Sequence, residues 1–106
     1  DSWHWYTSLG TIEDLRSLTA ENIVNVHVND APQGVGFLDF IDHERGMPSA
    51  TGVIDLIGFL KTLKDIGYDG PVSPEPFNPK LGRLPVEQAV SETHESLEPA
   101  WQAAGI

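Results

Sequence analysis

The chain has no cysteine, so neither a disulfide framework nor a thiolate metal site is open to it, which fits a reducing compartment. Basic residues are scarce: six Lys and Arg stand against sixteen Asp and Glu, for a formal net charge of −10. No basic run or stripe is interleaved with aromatics, so nucleic acid and anionic membrane surfaces are not expected partners. No apolar run approaches the roughly 20 residues of a membrane span, and the polar start "DSWHWY" does not have the form of a signal peptide. A cytoplasmic protein is the expectation. The chain lacks an initiator Met and opens in the middle of a pattern, which reads as a piece of something longer. What is present suffices for one small domain, 106 residues of which 40% are apolar.

The elements follow from spacing and caps. In "TIEDLRSLT", Thr11 with Asp14 three residues on is an N-terminal capping pattern ahead of Leu15 and Leu18, and predicts a short helix. Residues 22–30, "NIVNVHVND", carry Ile23, Val24, Val26 and Val28 and read as a strand. Residues 31–53 hold glycine, proline and mixed charge without a period, and read as one long loop of the kind that often carries function. Leu56, Phe59, Leu60, Leu63 and Ile66 then recur at helical spacing between Asp55, an N-cap, and Gly67, a C′ residue. "PVSPEPF", residues 71–77, is a second strand, and "NPKLGR" a loop. From Pro85 onward Val86, Ala89, Val90, Leu97 and Trp101 share a helical face, with Pro99 expected to break or kink that helix near its end. Helix, strand, helix, strand, helix is the pattern of βαβ crossovers and a parallel sheet.

Alternation along the strands separates two faces. Val24, Val26 and Val28 lie on one side of the first strand, and Asn25, His27 and Asn29 on the other. The second strand divides into Val72, Pro74 and Pro76 against Ser73, Glu75 and Phe77. A sheet covered by helices on both faces would be apolar on both. A barrel accounts better for one greasy and one polar face, with the valines toward an outer helix ring and His27 and Glu75 toward the interior. Pro74 and Pro76 withhold two ladder donors on the same side, which places their segment where pairing frays, at a rim. The carboxyl-end rim of a barrel is where active sites sit.

"VHVNDAP", then "RGMP", then "TGVIDLIGFLKTLKDIGYDGPVSPEPF" resemble the carboxyl-terminal part of the sugar phosphate isomerase/epimerase family, the xylose-isomerase-like TIM barrels. The resemblance runs from "DSWH" to the final helix. It implies an α/β fold in which residues 1–106 form a single partial (β/α)8 domain of about three βα units, from the end of strand 6 to helix 8. By position it implies that Asp1, His27 and Glu75 are metal ligands, that Glu75 also transfers a proton, and that His4 and Arg45 contact substrate. The family's fourth ligand, a Glu from an earlier strand, lies outside these residues, so the 106-residue chain is expected to be inactive alone and to associate with the missing part of the barrel or with another copy. Where many relatives have Gly and an acidic residue after the loop proline, this chain has Ser49 and Ala50.

Two carboxylates and one imidazole suit a divalent cation, Mn²⁺ first, with Mg²⁺, Co²⁺ or Zn²⁺ as alternatives. A cation bridging a sugar's carbonyl and adjacent hydroxyl acidifies the C–H between them, which leads to aldose–ketose isomerisation or epimerisation of a sugar or sugar phosphate through an enediolate. Three other readings stand beside it: an inert barrel fragment serving as an interaction module, an inositol-derivative dehydratase, and an apurinic endonuclease, whose phosphate-rich substrate the net charge of −10 argues against. For single residues the bland readings are a core histidine for His27, a strand-end acid for Glu75, an exposed ion pair with Asp42 or Glu44 for Arg45, core packing for Trp3, Trp5 and Tyr6, and a turn residue for Asp30. His43, His94 and the acidic run "EQAVSETHESLE" are read as surface.

Overall fold

Val26 and Val28 are almost fully buried, and the rest of the architecture forms around them. A computed structural model describes residues 1–106. The helices are α1 (Ser2–Thr7), α2 (Ile12–Arg16), α3 (Leu56–Asp65) and α4 (Val86–Ala103), and the strands β1 (Val26–Val28) and β2 (Val72–Pro74). The strands pair in parallel, with Val26 opposite Val72, His27 opposite Ser73 and Val28 opposite Pro74. The outward valines meet Leu15 of α2, Leu56, Phe59, Leu60 and Leu63 of α3, and Ala100 and Ala104 at the end of α4 in one core. A second core of Trp3, Ala31 and Ile54 lies beside it, with Trp5 packed against both.

Local chemistry explains the helix ends. Thr11 Oγ1 accepts from the Asp14 N–H while Asp14 accepts from the Thr11 N–H, a reciprocal capping box. Asp55 accepts from the Gly58 N–H at 2.9 Å. At the other end of α3, Gly67 adopts φ +83°, and the Gly67 and Tyr68 N–H groups return to the carbonyls of Lys64 and Leu63.

The structure refines or departs from the sequence reading at several places. Residues 2–7 form a helix, because Asp1 caps it where the sequence shows no apolar period. Val24 lies outside the strand and is 88% exposed. Pro99 sits inside α4 without ending it: Leu97 and Trp101 pack on the core beside buried Ala100 and Ala104, and burial on both sides of the proline outweighs the one hydrogen bond it forfeits. The amino-terminal half of α4 leaves Val86 and Val90 exposed, and with Pro74, Leu81 and Leu84 they line an open apolar groove along the free side of β2.

The prolines of the second strand act on that free side. The Glu75 N–H still donates to the Val28 carbonyl at 2.9 Å and the Phe77 N–H to the Arg45 carbonyl at 3.0 Å. Pairing with β1 therefore does not fray at Pro74. Residues 71, 73 and 75 address β1, and Phe77 continues on the same side to Arg45, whereas residues 72, 74 and 76 address the side away from it.

The long loop after β1 is tied down by one buried carboxylate. Asp30 accepts backbone N–H groups from Ala31, Thr51, Gly52 and Ile54 at 2.7–3.0 Å. Its own backbone exchanges two hydrogen bonds with Gly46. This fastening fixes Arg45, the residue before Gly46, over the end of the sheet. No helix is long and apolar enough to cross a membrane.

Candidate metal centre

Three donor groups from three separate elements meet beyond the carboxyl ends of β1 and β2. Asp1 caps α1 through Oδ1, which accepts from the Trp3 and His4 N–H groups at 2.7 and 3.3 Å, and this leaves Oδ2 to face outward. His27, in the middle of β1, directs Nδ1 to 3.9 Å from Asp1 Oδ2 and 3.5 Å from Glu75 Oε2. Glu75 follows β2 immediately, its backbone held by Val28. One ligand atom from each of the three lies within 4.8 Å of the others, and all three residues are half-buried.

The donor set fits a cation. Ligands about 2.1 Å from a common ion stand about 3.0–3.4 Å apart in octahedral or tetrahedral geometry, so the separations of 3.5 and 3.9 Å close onto one ion by small side-chain rotations. Charge points the same way. Asp1, Asp42 and Glu75 face the single guanidinium of Arg45, which leaves negative charge uncompensated.

Arg45 is the hub of the site. Its side chain is only 6% exposed, which corrects the reading of an exposed ion pair. Nη1 donates to Glu75 Oε2 at 2.6 Å and to Asp1 Oδ2 at 3.0 Å, while Nη2 and Nε both donate to Asp42 Oδ1 at 2.6 and 3.2 Å. Nη2 also lies 3.1 Å from His4 Nε2. A guanidinium can only donate, so His4 Nε2 is the acceptor and its neutral ring carries the proton on Nδ1. The Phe77 ring lies 4.9 Å from the guanidinium carbon and the Trp3 ring 5.9 Å, contacts worth about 1 kcal/mol where water is excluded. Asp42 is held below the ordinary carboxylate range, chiefly by its hydrogen bonds from Arg45.

Asp1, His4, His27, Arg45 and Glu75 are thus brought into one cluster. Trp3 and Trp5 pack as core residues and Tyr6 stacks edge-on to Phe37 and Phe40; His43 and His94 lie on the surface. Sequence reasoning gave no role in the site to Phe77 or Asn25 and treated Asp42 only as an exposed partner. The signals existed: Asp42 and Arg45 stand three apart on one helical turn, Phe77 shares the inward face with Glu75, and Asn25 shares it with His27.

The chain is similar to known proteins in both sequence and fold. The family model described as "Xylose isomerase-like TIM barrel" matches residues 1–100. An inosose isomerase of Bacillus licheniformis is 35% identical over 97 residues, covering 91% of this chain and 34% of that protein. A 3-dehydroshikimate dehydratase of Pseudomonas putida is 32% identical over 98 residues, 92% of this chain and 15% of the other. A solved structure described as the IOLI protein with a binding zinc atom superposes with a TM-score of 0.82 at 29% identity, covering 94% of this chain and 35% of that one. The chain spans about a third or less of the length of the proteins it matches. With two parallel strands walled by helices, acidic and imidazole donors at their carboxyl ends, and a family match over nearly every residue, the chain belongs to the xylose isomerase-like TIM barrel family.

Proposed function

We propose that residues 1–106 are the closing portion of a single TIM-barrel domain and supply most of a divalent-cation site for an isomerase acting on a polyhydroxylated carbonyl compound. The observation that carries this reading is the meeting of Asp1, His27 and Glu75 within 4.8 Å at the strand ends. Likeness to the inosose isomerase supports the isomerase class, and an inosose or a sugar shares the needed feature, a carbonyl beside a hydroxyl-bearing carbon. The open groove formed by Pro74, Leu84, Val86 and Val90 is where further barrel segments would pack.

In this reading Asp1, His27 and Glu75 hold the cation, for which Mn²⁺ is the first candidate and Zn²⁺, bound by the similar IOLI protein, the second. A cation bound there would supply Lewis-acid polarisation of a substrate carbonyl. The chain's own groups do the rest. Glu75 Oε1 has no hydrogen-bond partner in the protein, whereas Oε2 is held by Arg45, so Oε1 is the oxygen free to take a proton from the carbon beside the carbonyl and return it to the neighbouring carbon. Arg45 holds Glu75 in place through its hydrogen bond to Oε2. His4, fixed as an acceptor toward Arg45, presents Nδ1–H to a substrate oxygen.

The dehydratase relative favours a second reading with the same first step, proton removal beside a carbonyl, followed by loss of a neighbouring hydroxyl as water. One experiment separates the two. In deuterated water, an isomerase builds deuterium into unreacted substrate and product with no new ultraviolet absorbance, whereas a dehydratase yields an absorbing enone. Glu75→Gln should abolish exchange in the natural polypeptide that carries these residues. Undiminished deuterium incorporation in that variant would sink the role given to Glu75.

A further inference from the structure

His27 has two ring nitrogens, and only one faces the acidic pair. Nδ1 looks toward Asp1 and Glu75, while Nε2 meets a single side chain, the amide of Asn25, whose nitrogen stands 3.0 Å away. Asn25 comes two residues before His27, so strand alternation places both side chains on the inward face. A neutral imidazole carries one proton. For Nδ1 to offer a lone pair to a cation, that proton must sit on Nε2, and an acceptor held at Nε2 fixes the ring in that form. The amide of Asn25 is the group in place to provide it.

We propose that Asn25 is a positioning residue that sets which nitrogen of His27 carries the proton, and that it serves two states. With its amide nitrogen turned to Nε2, 3.0 Å away, Asn25 donates to that nitrogen, and the His27 proton then belongs on Nδ1, facing the two carboxylates. When Nδ1 is required as a ligand, a half turn of the amide about its terminal torsion presents Oδ1, which accepts from Nε2–H and makes Nδ1 the more basic nitrogen. Asparagine suits this because one end of its amide donates and the other accepts. Aspartate could support only the second state, and leucine neither. The proposal rests on the cation reading of the site and adds the residue that prepares its imidazole.

The test uses the natural polypeptide carrying these residues, with isotope-labelled histidine so that the NMR spectrum reports the protonation of each ring nitrogen, alongside calorimetric titration with Zn²⁺. Metal-free wild type should show His27 mainly as the Nδ1–H form and Asn25→Asp mainly as the Nε2–H form, with Asn25→Leu showing a mixture. Zn²⁺ should bind Asn25→Leu about tenfold more weakly than wild type, and Asn25→Asp at least as tightly as wild type. Both variants change a surface-accessible side chain, and an unchanged amide spectrum outside the site checks that they fold. The same His27 form in all three proteins, or equal Zn²⁺ affinity in wild type and Asn25→Leu, overturns the proposal. Failure of wild type to bind Zn²⁺ or Mn²⁺ at all instead overturns the cation reading, and the metal-free spectra still decide whether Asn25 governs the ring.

Discussion

Arg45 Nη1 donates to Glu75 Oε2 at 2.6 Å, and the same oxygen faces His27 Nδ1 at 3.5 Å. Asp1 Oδ2 is shared in the same way, 3.0 Å from Arg45 and 3.9 Å from His27. A side-chain cation and a candidate ion site therefore draw on the same two oxygens, and the guanidinium balances charge that a bound ion would otherwise balance.

Replacing Arg45 should move stability and metal affinity in opposite directions. Arg45→Met strands Asp1, Asp42 and Glu75 beside one another. Because those carboxylates are partly solvated, the loss in the absence of metal should be about 2 kcal/mol, less than for a fully buried pair. Zn²⁺ affinity should rise, and added Zn²⁺ should recover much of the lost stability by mass action. Urea unfolding with and without Zn²⁺ measures both; a variant destabilised equally in either condition contradicts the competition.

The Asp42 carboxyl gives an acid-side signature. Its folded pKa lies below the ordinary carboxylate value because Arg45 donates to it. Stability from this group is therefore fully present above the unfolded value and lost as pH falls through the lowered folded value. Asp42→Asn should be less stable than wild type at neutral pH, and the gap should close on acidification. Urea midpoints from neutral pH down to the acid limb test this, and a gap that widens in acid has the wrong sign.

Asp30→Asn keeps the shape and removes the charge at a carboxylate that accepts four backbone N–H groups. One amide end would turn a donor toward donors, so about 2–3 kcal/mol of stability should be lost. Hydrogen exchange should speed first at Thr51, Gly52 and Ile54, whose N–H groups lose their acceptor.

Leu9 closes α1 with φ +61°. Its N–H and that of Gly10 return to the Tyr6 and Trp5 carbonyls in the arrangement usually completed by glycine. The side chain is 71% exposed, so it contributes little packing. Leu9→Gly should relieve the left-handed strain and stabilise by up to about 1 kcal/mol, read as a rise of several degrees in Tm. Gly10→Ala should do the reverse, because a Cβ there would stand 2.2 Å from Trp5 Cδ1.

How much was legible in the sequence depended on whether the signal was local. The α3 caps and apolar period are contained within a dozen residues, and the helix formed as the spacing requires. Alternation placed His27 and Glu75 on one face, because a strand's two-residue period is fixed by covalent geometry. Helix α1 was missed because Asp1 caps it from its own first position and its burial comes from Phe40 and Ile54, far along the chain. Helix α4 runs on through Pro99 without a break because tertiary burial of Ala100 and Ala104 outweighs the local preference for an end there. Arg45 looked exposed among its acidic neighbours. Only the Asp30 fastening, formed across more than twenty residues, turns it inward.

The two prolines of "PVSPEPF" have a further effect on what can pair beside β2. Along the free margin of β2, Pro74 and Pro76 expose carbonyl oxygens but no N–H between them. A strand that pairs along this margin therefore meets acceptors at Pro74 and Pro76 and has to supply the donors itself. Only a neighbour rich in well-placed donors can dock there, which leaves the margin selective for a strand of that kind.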